Sequence, residues 1–148
     1  MKAVFKPEHI LLDTESKTKL QAFAFIASHV KALGYVSDAK IYEAGLIDRE
    51  NQSSTGFTGG IAIPHCKDAV ALYAGLFVVR FSHPIEWETM DEQLVNTAVA
   101  LSIPEDGDDS NIRLLTKLSR SMMRKPFRDA LQKGDVNQVQ DVIAIVIA

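Results

Sequence analysis

From Glu15 to Leu33 the apolar side chains Leu20, Phe23, Ile26, Ala27, Val30 and Leu33 recur at three- and four-residue spacing, which lays one apolar stripe along a helix. Gly34 suits the C-terminal turn of that helix. A second helix is predicted from Ser37 or Asp38, either of which can cap it, through Ile41, Ala44 and Ile47 to about Glu50. Asn51 to Gly60 is dense in Asn, Ser, Thr and Gly and predicts a loop. A short strand, Ile61-Ala62-Ile63, follows and is stopped by Pro64, so His65 is expected at a strand-to-loop boundary.

Ala74 to Phe81 and Leu94 to Ile103 have the length and β-branched content of buried strands, the second ending at Pro104. Glu105 to Ser110 reads as an acidic loop. From Asn111 onward Ile112, Leu115, Leu118 and Met122 carry helical spacing. Pro126 can open a short helix through Leu131, Gly134 can end it, and Val136, Val139, Val142 and Ile143 predict a final helix. Helices at both ends of a central block of strands make an α/β or α+β layered domain in which helices cover a sheet. Strand order is not written in these patterns. With no repeat or linker, residues 1–148 are expected to form a single domain.

Composition narrows the functional classes. Hydrophobic residues at 47% and charged residues at 24% match an ordinary globular chain. A net charge of −3 leaves no global basic excess, so nucleic acid is not an expected partner. Cys66 is the only cysteine, which excludes an intramolecular disulfide and fits a reducing cytoplasm. Met1 to Asp13 does not read as a secretion signal, and no apolar run reaches membrane-spanning length. Val142 to Ala148 is too short to span and is expected in the core; membrane work would go through a partner.

The stretch Ser54-Thr55-Gly56-Phe57-Thr58-Gly59-Gly60-Ile61-Ala62-Ile63-Pro64-His65-Cys66 concentrates the candidate chemistry. A histidine that exchanges phosphate needs one ring nitrogen hydrogen-bonded so that the other keeps its lone pair. Pro64 restricts the backbone that aims the ring. Gly59 and Gly60 would let a phosphoryl group and a second protein approach. Ser54 and Thr55 are candidate donors to phosphoryl oxygens, and Arg49 offers a planar, always charged fork. The plainer reading makes His65 a loop histidine, Arg49 a helix-terminus charge and Thr55-Gly56 a turn.

Other residues carry less. His9, His29 and His83 are expected in structural or exposed roles, the last in a turn before Pro84. Nothing has zinc-ligand spacing, and no metal or bound cofactor is expected. Cys66 is expected as small core filler rather than a nucleophile paired with its neighbour, and Trp87 as a packing anchor. Lys117, Arg120, Arg124, Lys125 and Arg128 form a basic stripe, read as a solvated face ahead of a docking patch. Phe57 is a candidate apolar contact beside His65.

Taken together, Asp48-Arg49-Glu50, Ser54-Thr55-Gly56 and Gly60-Ile61-Ala62-Ile63-Pro64-His65 resemble the fructose/mannitol-type (type 2) EIIA components of the bacterial sugar phosphotransferase system (PTS). The resemblance runs on through Leu114-Leu115-Lys117-Leu118 to Phe127-Arg128-Asp129-Ala130-Leu131. It implies an α/β fold, a central mixed sheet covered by helices on both faces. It also implies a phosphotransferase acting through a phosphohistidine, with His65 accepting phosphate from HPr and delivering it to a cysteine of EIIB, which serves the membrane transporter EIIC. Arg49 matches the family's active-site arginine. Many members carry a second histidine where this chain has Asn111, which can donate a hydrogen bond but cannot titrate near neutrality. That departure, with Ile-Pro-His-Cys, leans towards the galactitol branch. A regulatory binding module of the same fold is the alternative.

Overall fold

A computed structural model describes residues 2–105 and 109–148. The elements are β1 (Ile10–Asp13), α1 (Lys19–Ala32), α2 (Ala39–Gln52), β2 (Ile61–Ala62), β3 (His65–Asp68), β4 (Gly75–Ile85), β5 (Val95–Pro104), α3 (Asp109–Ser121), α4 (Lys125–Lys133) and α5 (Val136–Ile147). β5 is the organising strand. It pairs antiparallel with β4 on one side and parallel with both β2 and β3 on the other, while β1 lies parallel to β4 at the far edge. The sheet is therefore mixed, as expected.

Alternation along the strands divides the core. Phe77, Val79 and Phe81 of β4 and Ala98 and Ala100 of β5 pack with Phe23, Ile26, Val30, Tyr42 and Leu46 of α1 and α2. Leu76, Val78, Val99 and Leu101 face the other way, onto Leu118, Met122, Phe127, Leu131, Val139 and Ile143 of α3, α4 and α5. Burial on both faces is why β4 and β5 read as nearly continuous apolar runs. The same parity governs β2 and β3. Ala62 and Cys66 enter the α1/α2 layer and Ile61 and Ile63 the other, so His65 belongs on the α3 side.

Local chemistry sets several boundaries. The first helix begins at Lys19 rather than Glu15, because Asp13 Oδ1 accepts the amides of Glu15 and Ser16 and Thr18 caps Gln21 N. Asp38 caps α2, which runs two residues past Glu50. Gly34 has φ +89°, the left-handed turn its position called for. Asp135 and Gln138 form a capping box on α5. β1 was not foreseen: four residues carry too little periodicity, and its identity comes from pairing Ile10–Asp13 with Val78–Phe81. His83 and Pro84 lie within β4, in the stretch between Arg80 and Ile85 where the register shifts, instead of in a turn. His65 opens a strand rather than a loop. The loop expected over Glu105 to Ser110 falls largely outside the described residues.

His9 is fully buried in this core. Its ring stacks on Phe77 at 4.4 Å between centroids, Nδ1 lies 2.9 Å from the Leu76 carbonyl, and Nε2 has no hydrogen-bond partner among the described residues. The carbonyl fixes the proton on Nδ1, so charging the ring would put a second proton on the buried Nε2. Burial, with help from Lys6, holds its pKa below the ordinary value against the opposing pull of the Leu76 bond, Glu8 and the Val4 backbone. The unfolded chain then binds the proton first: the stability is whole above about pH 6.5 and declines as pH falls towards the folded pKa. The urea midpoint should drop between pH 7.5 and 5.5, and drop less in His9→Gln; an equal drop in both would rule out His9 as a source.

Candidate functional site

The last turn of α2 carries Arg49 outward and Glu50 inward. The buried Glu50 carboxylate accepts from Thr55 N (3.0 Å), Thr55 Oγ1 (2.5 Å) and Trp87 Nε1 (3.0 Å), with Lys19 Nζ at 3.4 Å. Burial alone would raise its pKa, but the Thr55 bonds, Ser54 and Lys19 outweigh it and hold it below the ordinary carboxylate value. This ties the following loop to the helix. Thr55 to Phe57 then lies along the outside of β2: Gly56 bridges Ala62, Phe57 N donates to Ile61 O (2.9 Å) and Ile63 N to Thr55 O (2.9 Å). Gly56 is obligatory there, since a Cβ would fall 2.0 Å from Glu88 O.

Pro64 interrupts the strand without shifting it: Ile61 lies beside Thr97 and His65 beside Leu101, the same register with β5 on both sides of the break. At the break the Ile63 carbonyl accepts from His65 Nδ1 at 2.7 Å. That bond places the proton on Nδ1 and leaves the Nε2 lone pair free. The half-buried ring has a pKa below its ordinary value, first from burial, then with the Ile63 bond opposing and Arg49 assisting. The imidazole is neutral at pH 7 and able to act as a nucleophile.

His65 opens onto a cleft of about 210 Å³ walled by Arg49, Phe57, Leu115, Ser119 and the 54–56 segment. Arg49 Nη1 donates to Ser53 O (2.9 Å) and Ser53 Oγ (3.3 Å), which steadies the guanidinium while Nη2 and Nε keep no partner among the described residues. Phe57 is half-buried against the α3–α5 layer and so forms a wall of the cleft rather than a freely exposed contact.

The structure thus brings Arg49, Ser54, Thr55 and His65 together, with qualifications for two of them. Ser54 Oγ donates to Glu88 O (2.6 Å) and Thr55 Oγ1 to Glu50, so both hydroxyl protons expected to meet phosphate are already engaged. Gly59 and Gly60 do not line the cleft. At φ +69° and +85° they turn the chain into β2, held by Asp91 on Gly59 N (2.9 Å), Gln132 on Gly59 O (2.6 Å) and Asn96 N on Gly60 O (2.8 Å). Asn111 lines a different cleft, with Val4, Ala74 and Val146. Helical rise of about 1.5 Å per residue carries it away from Leu115 and Ser119, the α3 residues that do reach the site. Those two and Glu50 were missed as site residues. The spacing of Leu115 and Ser119 places both on one helix face, and Glu50 sat unread inside the Asp48-Arg49-Glu50 match.

The neighbours behave as structural residues. Cys66 lies on the opposite sheet face, its Sγ 3.9 Å from Tyr42 O, and burial followed by Asp68 and Asp48 pushes the thiol up to about 12. Trp87 is a buried anchor edge-on to Phe23. In the basic stripe, Lys125 pairs with Asp129 at 2.8 Å, Arg128 Nη1 donates to Met122 O at 2.8 Å, and Lys117 donates to Ala148 O.

A neutral, tautomer-fixed histidine beside an arginine fork agrees with the comparison with known families. The model of the family described as phosphoenolpyruvate-dependent sugar phosphotransferase system, EIIA 2, matches residues 3–147. The chain belongs to this family. EIIA components act in phosphoryl transfer through a phosphohistidine, between HPr-type donors and EIIB acceptors. The fructose-specific EIIA component of Haloferax volcanii is 32% identical over 142 residues, 95% of this chain and 92% of that one. In fold, the nitrogen regulatory protein IIA-Ntr of Neisseria meningitidis superposes with a TM-score of 0.84 at 24% identity, over 95% of this chain and 96% of that one. The mannitol enzyme IIA of Escherichia coli, solved in complex with phosphorylated IIB, gives 0.76 at 19%, over 95% and 96%. No described helix of this EIIA chain is long and apolar enough to cross a membrane.

Two measurements check the geometry. Glu50→Gln should lower the unfolding free energy by about 1.5–3 kcal/mol, the worth of a hydrogen bond to a charged group, and alter the emission of Trp87, the only tryptophan; unchanged stability and emission would show that the carboxylate does not anchor the loop. In an NMR titration His65 should have a midpoint below 6.5, moving up in Arg49→Gln. A midpoint indifferent to Arg49 would place the guanidinium too far from the ring to act on a phosphoryl group carried there.

Proposed function

We propose that His65 Nε2 is the phosphoryl carrier of this EIIA component, taking phosphate from the phosphohistidine of HPr and passing it to a cysteine of EIIB for uptake of a sugar through EIIC. The observation that carries this reading is the bond from Nδ1 to the Ile63 carbonyl, which leaves Nε2 as the nucleophile in a cleft shared with Arg49. Nε2 attacks phosphorus in line as the donor N–P bond breaks, and the electron pair of that bond returns to the donor imidazole. One N–P bond replaces another, so the exchange stays near equilibrium. Arg49 stabilises the charge on the phosphoryl oxygens, and the proton stays on Nδ1 throughout, donated to the Ile63 carbonyl.

Such work belongs in the cytoplasm, where the donor and acceptor act. The Haloferax relative, fructose-specific by name, favours a fructose-like sugar over galactitol. The alternative, a regulatory module, draws on the fold shared with IIA-Ntr. A regulator need only accept phosphate, whereas a transport component must also deliver it.

Incubation with phosphoenolpyruvate, enzyme I and HPr, followed by intact-mass analysis, should give one acid-labile phosphate on the wild-type chain and none on His65→Ala. Arg49→Ala should phosphorylate about 10²–10³-fold more slowly, as when a charge-stabilising donor is removed elsewhere. An adduct that persists in His65→Ala would overturn the assignment. An adduct on His65 that no EIIB discharges would put the regulatory reading first.

A further inference from the structure

Any hydrogen-bond donor serving a phosphoryl group on His65 must come from the cleft, and most donors there are already committed. The Thr55 amide and hydroxyl go to Glu50, the Ser54 hydroxyl to Glu88 O and the Gly56 amide to Ser54 Oγ at 3.1 Å. The Phe57 amide goes to Ile61 O and the Ile63 amide to Thr55 O. On α3 the hydroxyl of Thr116 folds back onto Ile112 O at 3.0 Å, the usual fate of a helical hydroxyl. Ser119 is different. It is half-buried, lines the cleft beside His65, and its hydroxyl has no partner among the described residues.

We infer that Ser119 Oγ donates a hydrogen bond to a phosphoryl oxygen carried on His65, closing the α3 side of the cleft as Arg49 closes the α2 side. The inference rests on the phosphocarrier reading. When Nε2 takes the phosphoryl group, the new phosphohistidine brings anionic oxygens into a cleft whose α3 wall is otherwise the apolar Leu115. Among the described residues, a hydroxyl one helical turn from Leu115 is the only side-chain donor α3 supplies there. Before transfer it has no bond to break, so its interaction appears only in the phosphorylated state and along the path to it. Ser119 therefore acts by contact with the transferred group, while the tautomer of His65 remains fixed by Ile63.

The test compares wild type, Ser119→Ala and Ser119→Thr in phosphoryl exchange with HPr. Ser119→Ala should shift the exchange equilibrium about tenfold towards phospho-HPr, the size expected for one bond to a charged acceptor, and shorten the lifetime of phospho-His65. Ser119→Thr should restore both. Urea unfolding of the unphosphorylated proteins should be nearly unchanged, which a purely structural role would not permit. An equilibrium and lifetime unmoved in a folded Ser119→Ala would overturn the inference while leaving the carrier reading intact. A wild-type chain that takes no phosphate from phospho-HPr would overturn both.

Discussion

The buried carboxylate of Glu50 is the interaction on which the site depends. It gathers the end of α2, the Thr55 backbone and hydroxyl, the indole of Trp87 and the ammonium of Lys19 around one anion. Such an anion is tolerable only because each bond offsets its desolvation. By holding Thr55, it fixes the segment that pairs with the outside of β2, and so the amide of Ile63 points at Thr55 O. The Ile63 carbonyl next in the chain holds the His65 ring. A charge on one helix is thus linked through three hydrogen bonds to the tautomer of a histidine on a strand.

Strand parity decides which of two adjacent reactive side chains opens onto the cleft. His65 and Cys66 are neighbours in sequence but face opposite layers of the sheet. Unbroken register across Pro64 preserves that division. On the α3 side a cleft exposes the imidazole, and on the other Cys66 is packed so closely that a Cβ on Gly45 would meet its Sγ at 2.9 Å. The same thiol that looks chemically tempting in sequence is thereby kept protonated and out of reach.

Most of the fold was legible because its signals are local or periodic. The stripe Phe23-Ile26-Val30, the Asp38 cap, Gly34 and the two long apolar runs each state their role within a few residues. β1 escaped because pairing with β4 defines it. Motif and chemistry singled out His65 and Arg49, which the structure brings to one cleft, and the core role of Cys66. The parts misread at the site share one cause: sequence shows which groups can donate, but not which have already donated. Ser54 and Thr55 have suitable hydroxyls whose protons are spent on Glu88 O and Glu50. Gly59 and Gly60 have the freedom expected of them, used for a turn held by Asp91 and Gln132. Asn111 and Ser119 share a helix, and only the docking of α3 against the sheet determines which of them meets the cleft.

A phosphoryl carrier faces a constraint that a binding site does not: it must release what it accepts, so every donor that grips the phosphate in the resting carrier deepens a well the next partner must empty. Read this way, the committed donors of the cleft are part of the design. The Thr55, Gly56, Phe57 and Ile63 amides could have formed an anion nest, yet all are bound within the protein. What remains is one arginine fork steadied by Ser53 and one helical hydroxyl, against the apolar walls of Phe57 and Leu115. In the proposed transfer a steadied cation and a single neutral donor would stabilise the moving charge without enclosing it. The open, half-apolar cleft leaves the far side of the phosphoryl group for the groups that the donor or acceptor protein brings, so the balance of transfer is set by which partner is docked rather than by the carrier alone.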